Sequence, residues 1–132
     1  MDKYKVIIKK IDWLDKDNPE ADVLFEIEQK QYWAFCQPCN FKEGEEAEVC
    51  FNFIEEEIAE ASFWNENKDQ KKEIVSSSEK ARYYCYGQLE SIDPEIINCG
   101  PISFKSISRT NDEKAINSYV YFVTSRLDII KV

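Results

Sequence analysis

Apolar and polar side chains alternate with a period of two along most of this chain. Between residues 22 and 36, Val23, Phe25 and Ile27 share one parity, and Val49, Phe51 and Phe53 repeat the arrangement further on. Side chains of a β-strand point alternately to its two faces, so this period indicates strands. The pattern predicts strands over residues 3–14, 22–36, 47–57, 81–92, 96–98, 102–107 and 116–132.

Polar turns separate these six or seven strands and complete the prediction of an all-β fold. Many short, regularly spaced strands are typical of closed barrels and of two-sheet sandwiches. Gly87 and Gly100 interrupt two apolar runs and favour bending there. We therefore expect one β-rich domain over residues 1–132, a small closed or strongly bent antiparallel barrel. The oligonucleotide-binding-type barrel is the nearest common architecture.

Two segments depart from the strand pattern. The run from Ile54 to Ala61 contains Glu55-Glu56-Glu57, and we expect a short helix near residues 54–62. Residues 65–80 are strongly polar and predict the longest exposed loop of the chain. Long loops in compact domains are usually functional or disordered.

Charge limits the classes of partner. The chain has 17 basic and 26 acidic residues, a net charge of −9. Nucleic-acid affinity depends on Lys and Arg displacing counterions, so nucleic acid is not expected as a partner. Anionic membranes are disfavoured for the same reason. An acidic surface instead favours solubility and steers the chain toward a basic protein.

The expected compartment is the cytoplasm. The first residues lack the long apolar region of a signal peptide, and no apolar stretch approaches the roughly 18 residues of a membrane-spanning helix. The five cysteines should therefore be reduced thiols that pack as small apolar side chains. The oligomeric state is left open.

Cys36-Gln37-Pro38-Cys39 is the sharpest local motif. Two thiols at this spacing suggest a dithiol redox protein, in which the first thiol begins a helix. The following residues, Asn40 to Glu46, do not form an amphipathic pattern, and their glutamates would raise a thiol pKa. A zinc site would need a second close pair of ligands. We therefore expect no metal and no cofactor and keep the redox function as an alternative.

Catalytic motifs are otherwise missing from the sequence. The chain contains no histidine, which excludes Ser-His-Asp and Cys-His catalysis. Its three glycines are isolated, so no phosphate-binding loop exists. The glutamates show no spacing typical of a catalytic carboxylate pair. We expect a protein that is not an enzyme.

A single-stranded nucleic-acid-binding module is the second alternative. Such modules stack bases on aromatic rings beside a basic groove. Tyr83, Tyr84 and Tyr86 could supply the rings. The groove would require the cations of the region to gather on one side, namely Lys68, Lys71, Lys72, Lys80 and Arg82.

Acidic clusters lead to the preferred functional hypothesis. A small acidic domain can occupy the basic cleft of another protein, because complementary charge speeds association and favours the correct partner. Trp64 would add an aromatic anchor. We expect an immunity- or antitoxin-like inhibitor of a basic protein such as a nuclease toxin. The expected contact residues are Glu43, Glu45, Glu46, Glu55, Glu56, Glu57, Glu60 and Trp64.

Overall fold

The computed structural model describes residues 2–132, which form a nearly all-β protein with 56% strand and 7% helix. Nine strands are present in this described range. They are Tyr4–Asp15 (β1), Glu20–Ile27 (β2), Lys30–Cys36 (β3), Glu46–Glu56 (β4), Glu73–Ser76 (β5), Tyr83–Ile92 (β6), Glu95–Asn98 (β7), Ser103–Ser106 (β8) and Tyr119–Lys131 (β9). A short helix, α1, covers Glu60–Asn65, and a 3₁₀ turn covers Glu113–Ala115.

The chain divides into two compact units. Unit 1 contains residues 2–54, 76–82 and 125–132, and unit 2 contains residues 55–75 and 83–124. In chain order, unit 2 therefore lies largely between β4 and the second half of β9. No helix of the described residues has the length and apolar character needed to cross a membrane.

Five strands close into a ring in unit 1. Their order is β3-β2-β1-β4-β9, and β3 also pairs with β9. The closing pair is parallel, with Phe35 opposite Asp128, whereas β1, β2, β3 and β4 pair antiparallel. Alternate residues of these strands fill the interior, including Val6, Ile8, Val23, Phe25, Ala34, Val49, Leu127 and Ile129.

Unit 2 is built on β6. This strand pairs antiparallel with β7 and with the first half of β9, β7 pairs with β8, and β5 also pairs with β6. Phe63 of α1 is buried in this unit. The other large core residues include Leu89, Ile97, Ile102, Phe104, Val120 and Phe122.

The structure confirms the all-β class with a short helix and corrects several details. The prediction of six to seven strands was wrong, because residues 22–36 form two strands rather than one and β5 lies in a segment predicted as a loop. The two strands at 22–36 are separated by Glu28 and Gln29, which adopt positive φ angles of 50° and 66°.

The predicted loop at 65–80 contains β5. The helix expected near residues 54–62 lies at Glu60–Asn65, because β4 continues through Glu56. The prediction of one domain stays a prediction.

Gly87 allows two strands of unit 2 to approach closely. A Cβ atom at this position would lie 2.6 Å from Ile97 Cγ2, 2.7 Å from the Asn98 carbonyl oxygen and 2.8 Å from Cys99 Sγ. Real Cβ atoms do not come this close to other heavy atoms, so only glycine fits at position 87 unless β7 shifts. Gly44 differs, since its φ is +88° but nothing lies within 4 Å of a Cβ built there.

We predict that Gly87→Ala lowers the free energy of unfolding by about 3 kcal/mol, because β7 must move to accommodate the methyl group. Gly44→Ala is the matched control and should cost only about 1 kcal/mol, from its left-handed backbone. Urea unfolding followed by circular dichroism measures both values. Equal losses in the two variants would contradict the close approach at Gly87.

Candidate functional site

The predicted contact residues fall in both units. Glu43, Glu45 and Glu46 belong to unit 1, whereas Glu55, Glu56, Glu57, Glu60 and Trp64 belong to unit 2. The two groups differ in what their carboxylates contact, and this difference decides which of them is the better candidate for a partner.

The carboxylates of unit 1 mostly have partners within that unit. Glu43 Oε1 accepts a hydrogen bond from the Ile11 backbone N–H at 3.0 Å. Glu45 accepts one from the Lys42 backbone N–H at 2.9 Å and contacts Lys131 Nζ at 3.2 Å. The Lys42 N–H, followed by Lys131, holds the pKa of Glu45 below its usual value. These two side chains therefore stabilise the segment that precedes β4.

Unit 2 contains a long run of negative charge that begins at the end of β4. Residues 55–66 include five glutamates and no lysine or arginine, and we call this run the acidic segment. Glu57 and Glu60 are exposed and make no ion pair with any other residue that the structure describes. Glu60 and Trp64 lie four positions apart in α1, so they share one face of the helix.

Arg109 fixes the beginning of the acidic segment. Its Nε and Nη2 atoms donate to the two carboxylate oxygens of Glu95 at 2.6 and 2.8 Å, and Nη2 also donates to Glu55 Oε1 at 2.9 Å. The guanidinium lies 3.6 Å from the centre of the Phe63 ring. Because Glu95 is only 1% exposed, Arg109 is the charge that makes burial of this carboxylate tolerable.

Glu95 has a further partner. Ser106 Oγ donates to Glu95 Oε1 at 2.9 Å, so the buried carboxylate accepts hydrogen bonds from two side chains. The site thus connects β7, β8 and α1 of unit 2. Sequence reasoning missed it, since a single glutamate and a single arginine 14 positions apart give no recognisable signal.

Trp64 lies at the edge of an open cleft in unit 2, which we call the Trp64 cleft. The cleft has a volume of about 470 Å³. Trp64 and Tyr119 contribute aromatic rings, while Asn65, Asn67, Lys68, Gln70, Asn117 and Ser118 contribute polar groups. Half of this lining comes from the polar segment at 65–80, namely Asn65, Asn67, Lys68 and Gln70, so the cleft shows which of its residues could contact a ligand.

Asn67 anchors the loop that forms one wall of the Trp64 cleft. Its Nδ2 donates to the carbonyl oxygens of Lys71, Gly87 and Val120 at 3.0, 3.3 and 3.1 Å. Its Oδ1 accepts from the Lys71 N–H at 2.8 Å. Asn67 is 5% exposed, so its amide is fully used in attaching the loop to β6 and β9.

The five cysteines are all buried and unbridged. Cys36 ends β3 and is followed by a loop rather than by a helix. Burial, followed by the neighbouring Cys39, raises the pKa of Cys36 to about 12. Burial and contact with Cys85 raise the pKa of Cys99 as well. These surroundings oppose thiolate formation, which a dithiol redox site requires.

The outer face of unit 1 presents a feature that the sequence did not reveal. Lys80 Nζ lies 4.2 Å from the centre of the Trp33 ring, and the Arg126 guanidinium lies 4.4 Å from the centre of the Phe35 ring. Lys80 also contacts Asp12 at 2.7 Å, and Arg126 contacts Asp128 at 2.7 Å. The cations on these rings are therefore balanced by carboxylates.

The cations expected to form a basic groove are divided between the units. Lys80 and Arg82 belong to unit 1, whereas Lys68, Lys71 and Lys72 belong to unit 2. Lys71 Nζ lies 5.6 Å from the centre of the Tyr86 ring, and Tyr83 is buried. In the residues that the structure describes, no group of three or more Cys, Asp or Glu side chains is placed to hold a metal ion.

Comparison with known proteins gives no relative. No family model matches the chain, and neither the curated proteins nor the solved structures contain a match.

We predict that Arg109→Met lowers the free energy of unfolding by about 3 kcal/mol, because it leaves the Glu95 carboxylate buried without a cation. Arg126→Met is the control and should cost about 1 kcal/mol or less, since the side chains of Arg126 and Asp128 are 45% and 23% exposed, against 26% and 2% for Arg109 and Glu95. The double variant Arg109→Met/Glu95→Gln should recover part of the loss. Urea unfolding measures all three, and equal losses for Arg109→Met and Arg126→Met would contradict the role of the buried pair.

Thiol chemistry supplies a second prediction. With a pKa of about 12, only about one Cys36 in 10⁴ is a thiolate at pH 8. We expect the native protein to react with Ellman's reagent at least about 100-fold more slowly than the protein unfolded in guanidinium. A fast native phase at pH 8 that disappears in Cys36→Ser would contradict this account and favour the redox alternative.

Proposed function

We propose that this protein is a non-enzymatic inhibitor that binds a basic protein through the acidic segment and Trp64 of unit 2. Two exposed carboxylates carry the proposal. Glu57 and Glu60 have no cation partner in the described structure, and they lie in the same short segment as the aromatic side chain of Trp64. A basic partner such as a nuclease toxin would provide the cations that these side chains lack.

The distribution of charge supports a contact on unit 2. Unit 2 contains 12 acidic and 6 basic residues, a net charge of −6, whereas unit 1 contains 14 acidic and 11 basic residues, a net charge of −3. Two thirds of the net negative charge of the chain therefore belongs to unit 2. A concentrated negative potential raises the rate of encounter with a positive surface and makes that rate sensitive to salt.

Trp64 would provide the short-range part of the contact. Its ring packs edge-on against the buried Phe63 ring, with centroids 4.8 Å apart and an angle of 87° between the planes. Trp64 itself is only partly buried. A half-exposed tryptophan supported by a fixed aromatic neighbour is typical of residues that contribute strongly to protein–protein binding.

The acidic segment is held in place before any partner binds. Arg109 contacts both Glu55 at its beginning and the Phe63 ring within α1. Binding therefore requires less ordering of the chain than it would for a flexible acidic tail, which improves affinity for a given contact area. The cluster of Glu43, Glu45 and Glu46 remains a secondary candidate, because all three of its carboxylates already have internal partners.

One observation favours a second candidate function, binding of single-stranded nucleic acid by unit 1. Trp33 and Phe35 on the outer face of β3 have basic side chains above their rings. Aromatic rings and cations on a five-strand ring are the elements of such a surface. The paired carboxylates of Asp12 and Asp128 and the net charge of −9 oppose it.

The proposal predicts salt-dependent capture of a basic protein. Immobilised protein should retain it from an extract of the source cells at 0.05 M NaCl and release it as salt increases. With the purified partner, Glu57→Lys/Glu60→Lys should reduce the association rate about tenfold at low salt. Trp64→Ala should mainly increase the dissociation rate, by about 30-fold.

A matched variant controls for net charge. Asp17→Lys/Glu28→Lys makes the same change of charge on exposed turns of unit 1 and should alter the association rate less than about threefold. Capture that is indifferent to salt, or equal effects of the two charge reversals, would contradict the proposal. Retardation of a single-stranded oligonucleotide that Trp33→Ala abolishes would instead support the second candidate.

A further inference from the structure

The Trp64 cleft combines exposed amides with aromatic rings. Asn67 uses its whole amide to anchor the loop, as described above. The side chains of Asn65, Gln70 and Asn117 differ, because they make no hydrogen bond with any residue that the structure describes. Each amide offers a donor and an acceptor side by side. Three uncommitted amides around one cleft therefore provide a set of paired donors and acceptors for a ligand.

The backbone that presents these amides is fixed. Asn117 donates its N–H to the Leu89 carbonyl oxygen at 2.7 Å, and its own carbonyl oxygen accepts from Gln88 Nε2 at 3.3 Å. Ser118 accepts from the Leu89 N–H at 2.8 Å. Gln70 and Asn117 have positive φ angles of 54° and 78°. Left-handed backbone at residues other than glycine is uncommon and tends to occur at functional sites.

The charge and shape of the cleft favour an uncharged ligand. Lys68 is the only charged residue of the lining, and the acidic neighbours Glu66 and Asp69 flank it in the sequence. A nucleic-acid strand would require several cations along a path, which this lining does not supply. The volume of about 470 Å³ fits a small molecule or a short oligomer.

We infer that the Trp64 cleft binds a short uncharged oligosaccharide. A pyranose presents apolar C–H groups on its face and hydroxyl groups at its rim. The aromatic rings of Trp64 and Tyr119 match the apolar C–H face of the sugar. The hydroxyl rim is matched by the polar side chains of the cleft, namely those of Asn65, Gln70, Asn117 and Ser118. This inference shares Trp64 with the inhibitor function but does not depend on it, since Glu57 and Glu60 have no part in sugar binding and Gln70 and Asn117 lie outside the acidic segment.

The experiment uses uncharged hexasaccharides as probes. Cellohexaose, maltohexaose, xylohexaose and chitohexaose are titrated into the full chain and followed by isothermal calorimetry. The variant Trp13→Phe/Trp33→Phe leaves Trp64 as the only tryptophan, so its fluorescence reports binding at the cleft. We expect saturable binding of at least one probe, unchanged between 0.05 and 0.5 M NaCl, because neither side of the contact exchanges ions.

Cleft variants are compared with matched variants elsewhere. Gln70→Gly and Asn117→Gly remove an amide but keep a residue suited to positive φ, and each should weaken binding about fivefold. Trp64→Ala should weaken it at least about tenfold. Two variants of unit 1 change the same residue types, namely Gln29→Gly at another positive φ and Trp13→Ala. Both should leave sugar binding unaltered.

Three results would overturn the inference. They are the failure of all four hexasaccharides to bind, binding that the cleft variants leave unchanged, and binding confined to the charged probes oligogalacturonate and single-stranded oligothymidylate, which are titrated in parallel. Each result is distinct from failure of the inhibitor function. That function is tested by salt-dependent capture of a basic protein, which is measured without sugar.

Discussion

The buried carboxylate of Glu95 is the constraint on which unit 2 depends. A charge that is almost fully removed from water requires a cation and hydrogen-bond donors in fixed positions. Arg109 and Ser106 meet that requirement, and Arg109 can do so only if the chain around it takes one arrangement. The same guanidinium contacts Glu55 and the Phe63 ring, so neutralisation of Glu95 also positions the acidic segment.

This arrangement separates structural charges from available ones. Glu55 is paired with Arg109, and Glu45 is paired with Lys131, so both stabilise the fold of their own units. Glu57 and Glu60 have no such partner in the described structure. A count of acidic residues does not distinguish these four glutamates. Their contacts do, because a partner could bind Glu57 and Glu60 without breaking an internal contact.

Period-two alternation was sufficient to predict the all-β class, because most inward positions of the strands, such as Val23, Phe25 and Ala34, are apolar. It was not sufficient at the β2–β3 hairpin. Glu28 and Gln29 adopt the positive φ angles that tight hairpins usually assign to Asn and Gly, so no turn signal was visible in residues 22–36. The Arg109–Glu95 pair and the amides of the Trp64 cleft arise from contacts between distant segments, which no local pattern records.

The proposed function requires a basic partner to bind the acidic segment. The most direct test is nitrogen-15 NMR of the labelled protein with the partner that it retains at low salt. We predict that the Trp64 indole N–H and the backbone amides of residues 57–66 shift or broaden, while the Trp33 indole N–H does not. Changes confined to Trp33, Phe35 and their neighbours in unit 1 would contradict the claim.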